Sequence, residues 1–126
     1  MRRGTILVVE DDPGFRDLVV EILSEAGYHV DCCTDAEDAF YQAHRLHPDL
    51  LIIDLWMRHK RDDGWTLIMA LRGSESTRTL PAILISGDVH ALQARDGVLR
   101  AEHGLTLEKP FTANALMTRV AEAFAL

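Results

Sequence analysis

The sequence predicts an α/β fold, one sheet of five parallel strands with helices packed on both faces. Three observations predict it. Short strand-like runs at residues 5–9, 28–33, 50–54, 81–86 and 105–108 alternate with segments whose apolar residues recur at helical spacing. Strict alternation of this kind implies parallel strands joined by right-handed helical crossovers. The run Leu50-Leu51-Ile52-Ile53 is apolar without interruption, as strands covered on both faces are. No internal repeat or linker divides the 126 residues, a length suited to a single domain over residues 1–126 with its own core.

The elements follow in order. Thr5-Ile6-Leu7-Val8-Val9 is a β-branched strand. Asp12 then Pro13 starts a helix as N-cap and first-turn residue, with Phe15, Leu18, Val19, Ile22, Leu23 and Ala26 inward and Gly27 as the stop. Residues 28–33 form a second strand, placed at an edge because it carries His29 and Asp31. Thr34-Asp35-Ala36-Glu37 reads as a capping box opening a helix with Ala36, Phe40 and Ala43 inward, which Pro48 ends. The third strand is followed by an irregular segment at 55–63 and a short helix at 64–72, with Leu67, Ile68 and Leu71 inward and Gly73 closing it. A Ser/Thr-rich loop at 74–79 leads to the fourth strand, ending on the hydroxyl of Ser86. Residues 89–101 are helical in composition, although Gly97 interrupts them and the periodicity is poor. The fifth strand, 105–108, precedes Lys109-Pro110-Phe111. Thr112 then caps a helix with Ala113, Leu116, Met117, Val120, Ala121 and Phe124 as its stripe. Five strands wound this way favour the flavodoxin-like order 2-1-3-4-5, an order borrowed from doubly wound sheets in general, whose switch point lies between the first and third strands.

Composition excludes several classes. A chain 48% hydrophobic and 26% charged is ordinary globular material. No apolar run approaches the roughly 18 residues of a membrane span, and Met1-Arg2-Arg3-Gly4 leads into a strand and not a signal peptide; the expected location is the cytoplasm. A net charge of −7 argues against direct nucleic-acid binding. Cys32 and Cys33, being adjacent in a strand, point to opposite faces and are expected as buried or half-buried free thiols.

The polar strand ends converge. Glu10 and Asp11 follow the first strand and Asp54 ends the third, so three carboxylates would crowd one crevice at the sheet's C-terminal edge, where ligands of open α/β folds bind. Such crowding raises a carboxylate pKa or draws in a cation, and hard oxygen donors in an acidic cleft suit Mg²⁺. Ser86 adds a hydroxyl and Lys109 a long-stemmed cation. Together these groups can hold a phosphoryl group, whose transfer depends on positioning and charge neutralisation. Each alone has a plainer reading: Asp54 as a loop or cap residue, the acidic pair as a solvated turn, Ser86 as an N-cap, Lys109 as a surface residue.

These residues resemble the receiver domain of two-component response regulators over essentially the whole chain. Ile6-Leu7-Val8-Val9-Glu10-Asp11-Asp12-Pro13 with Arg16 is similar to its first acidic motif, and Leu51-Ile52-Ile53-Asp54 with Met57 and Asp63-Gly64 to its phosphoacceptor segment. Ile83-Leu84-Ile85-Ser86-Gly87 and Glu108-Lys109-Pro110-Phe111 resemble its hydroxyl and lysine segments. The resemblance implies that Asp54 accepts a phosphoryl group from a histidine kinase or phosphotransfer protein. It implies Mg²⁺ on Asp11, Asp54 and the Trp56 carbonyl, with Glu10 acting partly through water. Ser86 and Lys109 would hold phosphoryl oxygens, and the lysine–proline bond would be cis. The implied product is a regulatory switch acting on a downstream protein effector, not a turnover enzyme; phosphorylation-driven homodimerisation stays open.

Three departures stand out. Arg58-His59-Lys60-Arg61-Asp62 replaces a family proline and makes the loop about two residues longer; either it is a solvated loop or it tunes partner choice, in which case neutralising Arg58, Lys60 and Arg61 changes phosphotransfer rate or kinase preference. Thr106, three before the lysine, stands where the family carries an aromatic switch residue, and a threonine cannot swing as a ring does. Trp56 stands where side chains flank the phosphoryl group and is expected to exclude water and slow its loss. Gly97, Gly104 and the segment between them are expected to be the mobile region. His44 and His47 read as a surface pair and Trp65 as packing. A constitutive interaction module that no longer switches is the main alternative. A metal-dependent phosphohydrolase ranks last, because Trp56 occupies the place of its second carboxylate, and a flavin or nucleotide site is disfavoured by the acidic, glycine-poor turn after the first strand.

Overall fold

A computed structural model of the chain describes residues 4–57 and 62–126. The basic residues Arg58, His59, Lys60 and Arg61 lie outside the described residues. Ten elements alternate: β1 (Thr5–Val9), α1 (Pro13–Glu25), β2 (His29–Cys33), α2 (Ala36–Leu46), β3 (Leu50–Asp54), α3 (Asp63–Arg72), β4 (Ala82–Ser86), α4 (Val89–Ala101), β5 (Gly104–Glu108) and α5 (Ala113–Phe124). All strand pairs are parallel and the order is β2-β1-β3-β4-β5, the order expected, with β2 at an edge.

Period two in the strands builds two apolar layers. Leu7, Val9, Leu51, Ile53, Ala82 and Leu84 face α2, α3 and α4, through Ala39, Ala43, Leu67, Ile68, Leu71, Leu92 and Leu99. Their neighbours Ile6, Val8, Leu50, Ile52, Ile83 and Ile85 face α1 and α5, through Val19, Leu23, Leu116, Val120 and Ala123. Every residue of β3 and β4 is buried, which is why those runs carry no polar alternation.

Local chemistry sets the helix ends. The Asp12 carboxylate accepts from Gly14 and Phe15 N–H with Pro13 in the first turn. For α2 the cap is Asp35, which accepts from Asp38 N–H at 2.8 Å, and not Thr34: the box begins one residue later than its pattern suggested. Asp88 caps α4 through Ala91 N–H and Thr112 caps α5 through Ala115 N–H. Gly97 does not break α4, which runs unbroken from Val89 to Ala101 with Leu92 and Leu99 buried against the core. Three burial expectations fail. Leu18 is 51% exposed, being on the outer flank of α1. Ala113 and Ala121 are exposed and Ala123 is buried in their stead. Cys32 is exposed, while Cys33 is buried, its thiol pushed up to about 12 by burial and then by Asp38.

Candidate functional site

Parallel register delivers the site. β1, β3, β4 and β5 all run the same way, so Glu10, Asp54, Ser86 and Lys109 leave the sheet at the same edge. Asp54 pairs with Ile85 and Ser86 with Glu108, and the Lys109 N–H donates to the Ser86 carbonyl at 2.9 Å. The Lys109–Pro110 bond is cis, as the resemblance implies.

The lysine is the hub. Its ammonium donates to Asp54 Oδ2 and stands 3.7 Å from Glu10 Oε2. It also lies 4.1 Å from the centre of the Phe15 ring, which packs edge-on against Phe111. A cation over an aromatic face is held electrostatically as well as by its anions. Glu10 and Asp54 are only 4% and 6% exposed. Burial first, and then the hydrogen bond and charge of Asp54, push the Glu10 pKa up to about 8, against smaller opposing effects of the Asp12 N–H and Lys109. Glu10 Oε1 accepts from the Asp12 N–H at 3.1 Å and the Arg16 guanidinium reaches the Glu10 carbonyl at 3.4 Å.

Asp54 Oδ1 accepts from the Trp56 N–H at 3.0 Å. Trp56, 39% exposed, lines a cleft of ≈ 410 Å³ with Asp54, Ser86, Gly87, Asp88 and Lys109. Ser86 is buried, and its Oγ accepts from the Asp88 N–H at 3.0 Å; Asp88, not Ser86, is the cap of α4. The first turn of α3 closes on the acceptor from below: a Cβ at Gly64 would fall 2.2 Å from the Asp54 carbonyl oxygen.

The structure thus brings Asp54, Glu10, Lys109 and Ser86 together. Asp11 follows Glu10 past the end of β1 and is half-buried. No three His, Cys, Asp or Glu side chains form a metal cage among the described residues. Two buried carboxylates whose crowding raises the Glu10 pKa nevertheless fit Mg²⁺, whose charge would favour the deprotonated form and which takes few protein oxygens and keeps several waters. The roles of Phe15 beside the lysine and of Asp88 behind Ser86 were not legible beforehand. Helical spacing marks Phe15 as inward without saying what it meets, and an Asp near a helix start reads only as a cap.

Comparison with known proteins agrees with this geometry. Residues 6–121 match the family Response regulator receiver domain. The chain is 34% identical over 118 residues to the DNA-binding dual master transcriptional regulator RpaA of Synechocystis sp., covering 91% of this chain and 46% of that protein. It is 30% identical over 112 residues to the nitrogen assimilation regulatory protein NtrX of Azorhizobium caulinodans, covering 89% and 24%. The chain therefore spans half or less of the length of these curated relatives. Among solved structures, the receiver domain of NtrX from Brucella abortus superposes with TM-score 0.80 at 32% identity, over 95% of this chain and 98% of that one. The chemotaxis response regulator CheY4 of Vibrio cholerae, at 23% identity, shares the fold with TM-score 0.83 over 95% and 98%. The chain belongs to the response regulator receiver domain family of two-component systems. It is a regulatory domain, and no helix among the described residues is long and apolar enough to cross a membrane.

Proposed function

We propose that the chain is a phosphoacceptor switch in which Asp54 takes a phosphoryl group from a histidine kinase or histidine phosphotransfer protein. The observation that carries this reading is the Lys109 ammonium on Asp54 Oδ2, with Glu10 beside it and Ser86 across the same cleft. One Asp54 oxygen attacks phosphorus in line; the bond from phosphorus to the donor imidazole nitrogen breaks, its electron pair stays on the imidazole, and an acyl phosphate remains on Asp54. Lys109 then pairs with one phosphoryl oxygen and Ser86 Oγ–H donates to another, which neutralises charge as it develops. Glu10, Asp11, Asp54 and the Trp56 carbonyl would hold Mg²⁺ with water, and the ion would shield the carboxylates from the incoming phosphate. Trp56 lines the same cleft, where its ring would shield the acyl phosphate from water. The added charge and acceptor oxygens bias two conformations, and a downstream protein effector reads the difference in the cytoplasm.

DNA binding is named for the relative RpaA, and the net charge of −7 favours protein over nucleic acid as the direct partner of this chain. Thr106 gives a second reading some weight: with no ring to swing, the domain would be a constitutive interaction module. The test is incubation with Mg²⁺ and phosphoramidate followed by intact mass. The expected result is one phosphoryl group on the wild type and none on Asp54→Asn or with EDTA; an unmodified wild type rejects the switch in favour of the second reading.

A further inference from the structure

Two adjacent residues hold α4 on opposite flanks. Asp96 Oδ1 accepts from Thr106 Oγ1 on β5 at 3.1 Å, and its Oδ2 accepts from Arg100 Nε at 2.9 Å. Arg95 reaches the other way, to the start of α3. Its Nη2 donates to Asp62 Oδ1 at 2.5 Å and its Nη1 to the Ala91 carbonyl at 3.0 Å, while the guanidinium lies 5.6 Å from the centre of the Trp65 ring.

The Arg95–Asp62 contact is made in place of a helix cap. Asp62 is the N-cap residue of α3, where a carboxylate ordinarily accepts from a first-turn N–H; here it makes no cap hydrogen bond, because it is turned to α4. Its backbone is left-handed, φ 62°, a conformation that Asp tolerates better than most residues but not the extended one from which an N-cap carboxylate reaches the first turn. Arg95 Nε is buried, with no hydrogen-bond partner among the described residues. With this backbone Asp62 clasps α4, and capping α3 would require it to move to the extended conformation of an N-cap residue.

The clasp closes a ring around the acceptor. Gly64, two residues past Asp62, packs on the backbone of Asp54 and donates its N–H to the Leu55 carbonyl at 3.1 Å. At the start of α4, Asp88 donates its N–H to Ser86 Oγ and caps the helix with its carboxylate. A phosphoryl group on Asp54 that takes the Ser86 O–H as a donor turns the hydroxyl on which the Asp88 N–H rests, at the start of α4, while Gly64 ties the start of α3 to the backbone of the same aspartate.

We propose that Arg95 and Asp62 form a clasp that holds α4 in its unphosphorylated position and that phosphorylation of Asp54 opens it, returning Asp62 to cap α3. This rests on the phosphoacceptor reading above and assigns the regulation of that site. It also supplies a route from acceptor to α4 that needs no aromatic at Thr106. If the clasp is made only in the unphosphorylated form and the open conformer is the one that reacts, removing the clasp raises the phosphorylation rate by the factor by which it raises the open population.

The test measures phosphorylation of the full chain by phosphoramidate with Mg²⁺, followed by intact mass, with amide hydrogen exchange over residues 89–101 before phosphate is added. The variants are Arg95→Ala, Arg95→Lys, Asp62→Ala and the Arg95→Ala/Asp62→Ala double. The expected result is about fivefold faster phosphorylation in each Ala variant, a double no faster than either single, an intermediate Arg95→Lys, and faster exchange in α4. A merely structural role predicts slower phosphorylation alongside faster exchange, and that result overturns the clasp, as does a rate equal to wild type. A wild type that takes no phosphate overturns the acceptor reading and the clasp's regulatory role with it, whereas a phosphorylated wild type with unaltered variants overturns the clasp alone.

Discussion

Glu10 is the side chain whose chemistry the fold changes most. Its pKa moves from 4.5 to about 8, first through burial and then through Asp54. Below pH 4.5 the folded and unfolded chains both hold the proton. Between 4.5 and 8 the unfolded chain releases it while the folded chain keeps it, so stability of the metal-free protein falls as pH rises through that window. Glu10→Gln removes the titration and keeps the hydrogen-bonding shape. In EDTA its urea midpoint should change less between pH 5 and pH 8 than that of the wild type, and at pH 8 it should be the more stable protein; matching slopes would sink this account. Trp56 lines the same cleft, and the proposed role for its ring is to exclude water. Trp56→Asn opens the solvent side of Asp54 and should speed loss of phosphate by about three- to tenfold, worth roughly 0.7 to 1.4 kcal/mol of barrier, timed by intact mass after the donor is removed. An unchanged or slower loss argues against a shielding ring.

At the scale of elements, two glycines with opposite surroundings give opposite expectations. A Cβ at Gly97 would meet nothing within 4 Å, so Gly97→Ala lowers only the entropy cost of the helix and should stabilise the protein by about 0.5–1 kcal/mol. A Cβ at Gly64 would collide with the backbone of Asp54 at 2.2 Å, so Gly64→Ala should cost at least about 1–3 kcal/mol and impair phosphorylation by displacing the acceptor; both shifts are read from chemical denaturation. The same pair shows what the sequence could convey about elements. Gly97 marred the periodicity of α4, yet the helix is continuous, because packing of Leu92 and Leu99 on the sheet outweighs one glycine. Strand and helix existence followed from apolar period, whereas the inward edge of a stripe did not: Leu18 is one step around α1 from Val19 and falls in solvent. Thr34 lost the cap of α2 to Asp35 because both have cap-forming oxygens and only the chain's entry angle chooses between them.

The whole molecule accounts for why the site was readable and the switch was not. Glu10, Asp54, Ser86 and Lys109 are scattered through the chain, but each ends an apolar run, and a parallel sheet carries all such ends to one edge. Arg95 and Asp62 end no run, and no local pattern joins α4 to the start of α3, so only coordinates could reveal that contact. The sheet has a further consequence for cooperativity. β1, β3 and β4 each send alternate residues into both layers, Leu51 and Ile53 toward α2–α4 and Leu50 and Ile52 toward α1 and α5. Neither layer can lose its strands while the other keeps them, so the chain should unfold in one transition. Ile53→Ala deletes buried volume from the α2–α4 layer only and should cost about 2–5 kcal/mol. In a Trp56→Phe background, fluorescence of Trp65, which packs on the α2–α4 layer, reports that layer, and amide exchange in α5 reports the opposite one. Both should register the same loss, since the free energy belongs to the shared strands. A variant whose α5 amides keep wild-type protection while the Trp65 transition moves to lower urea would mean that the layers melt separately and that the sheet does not couple them.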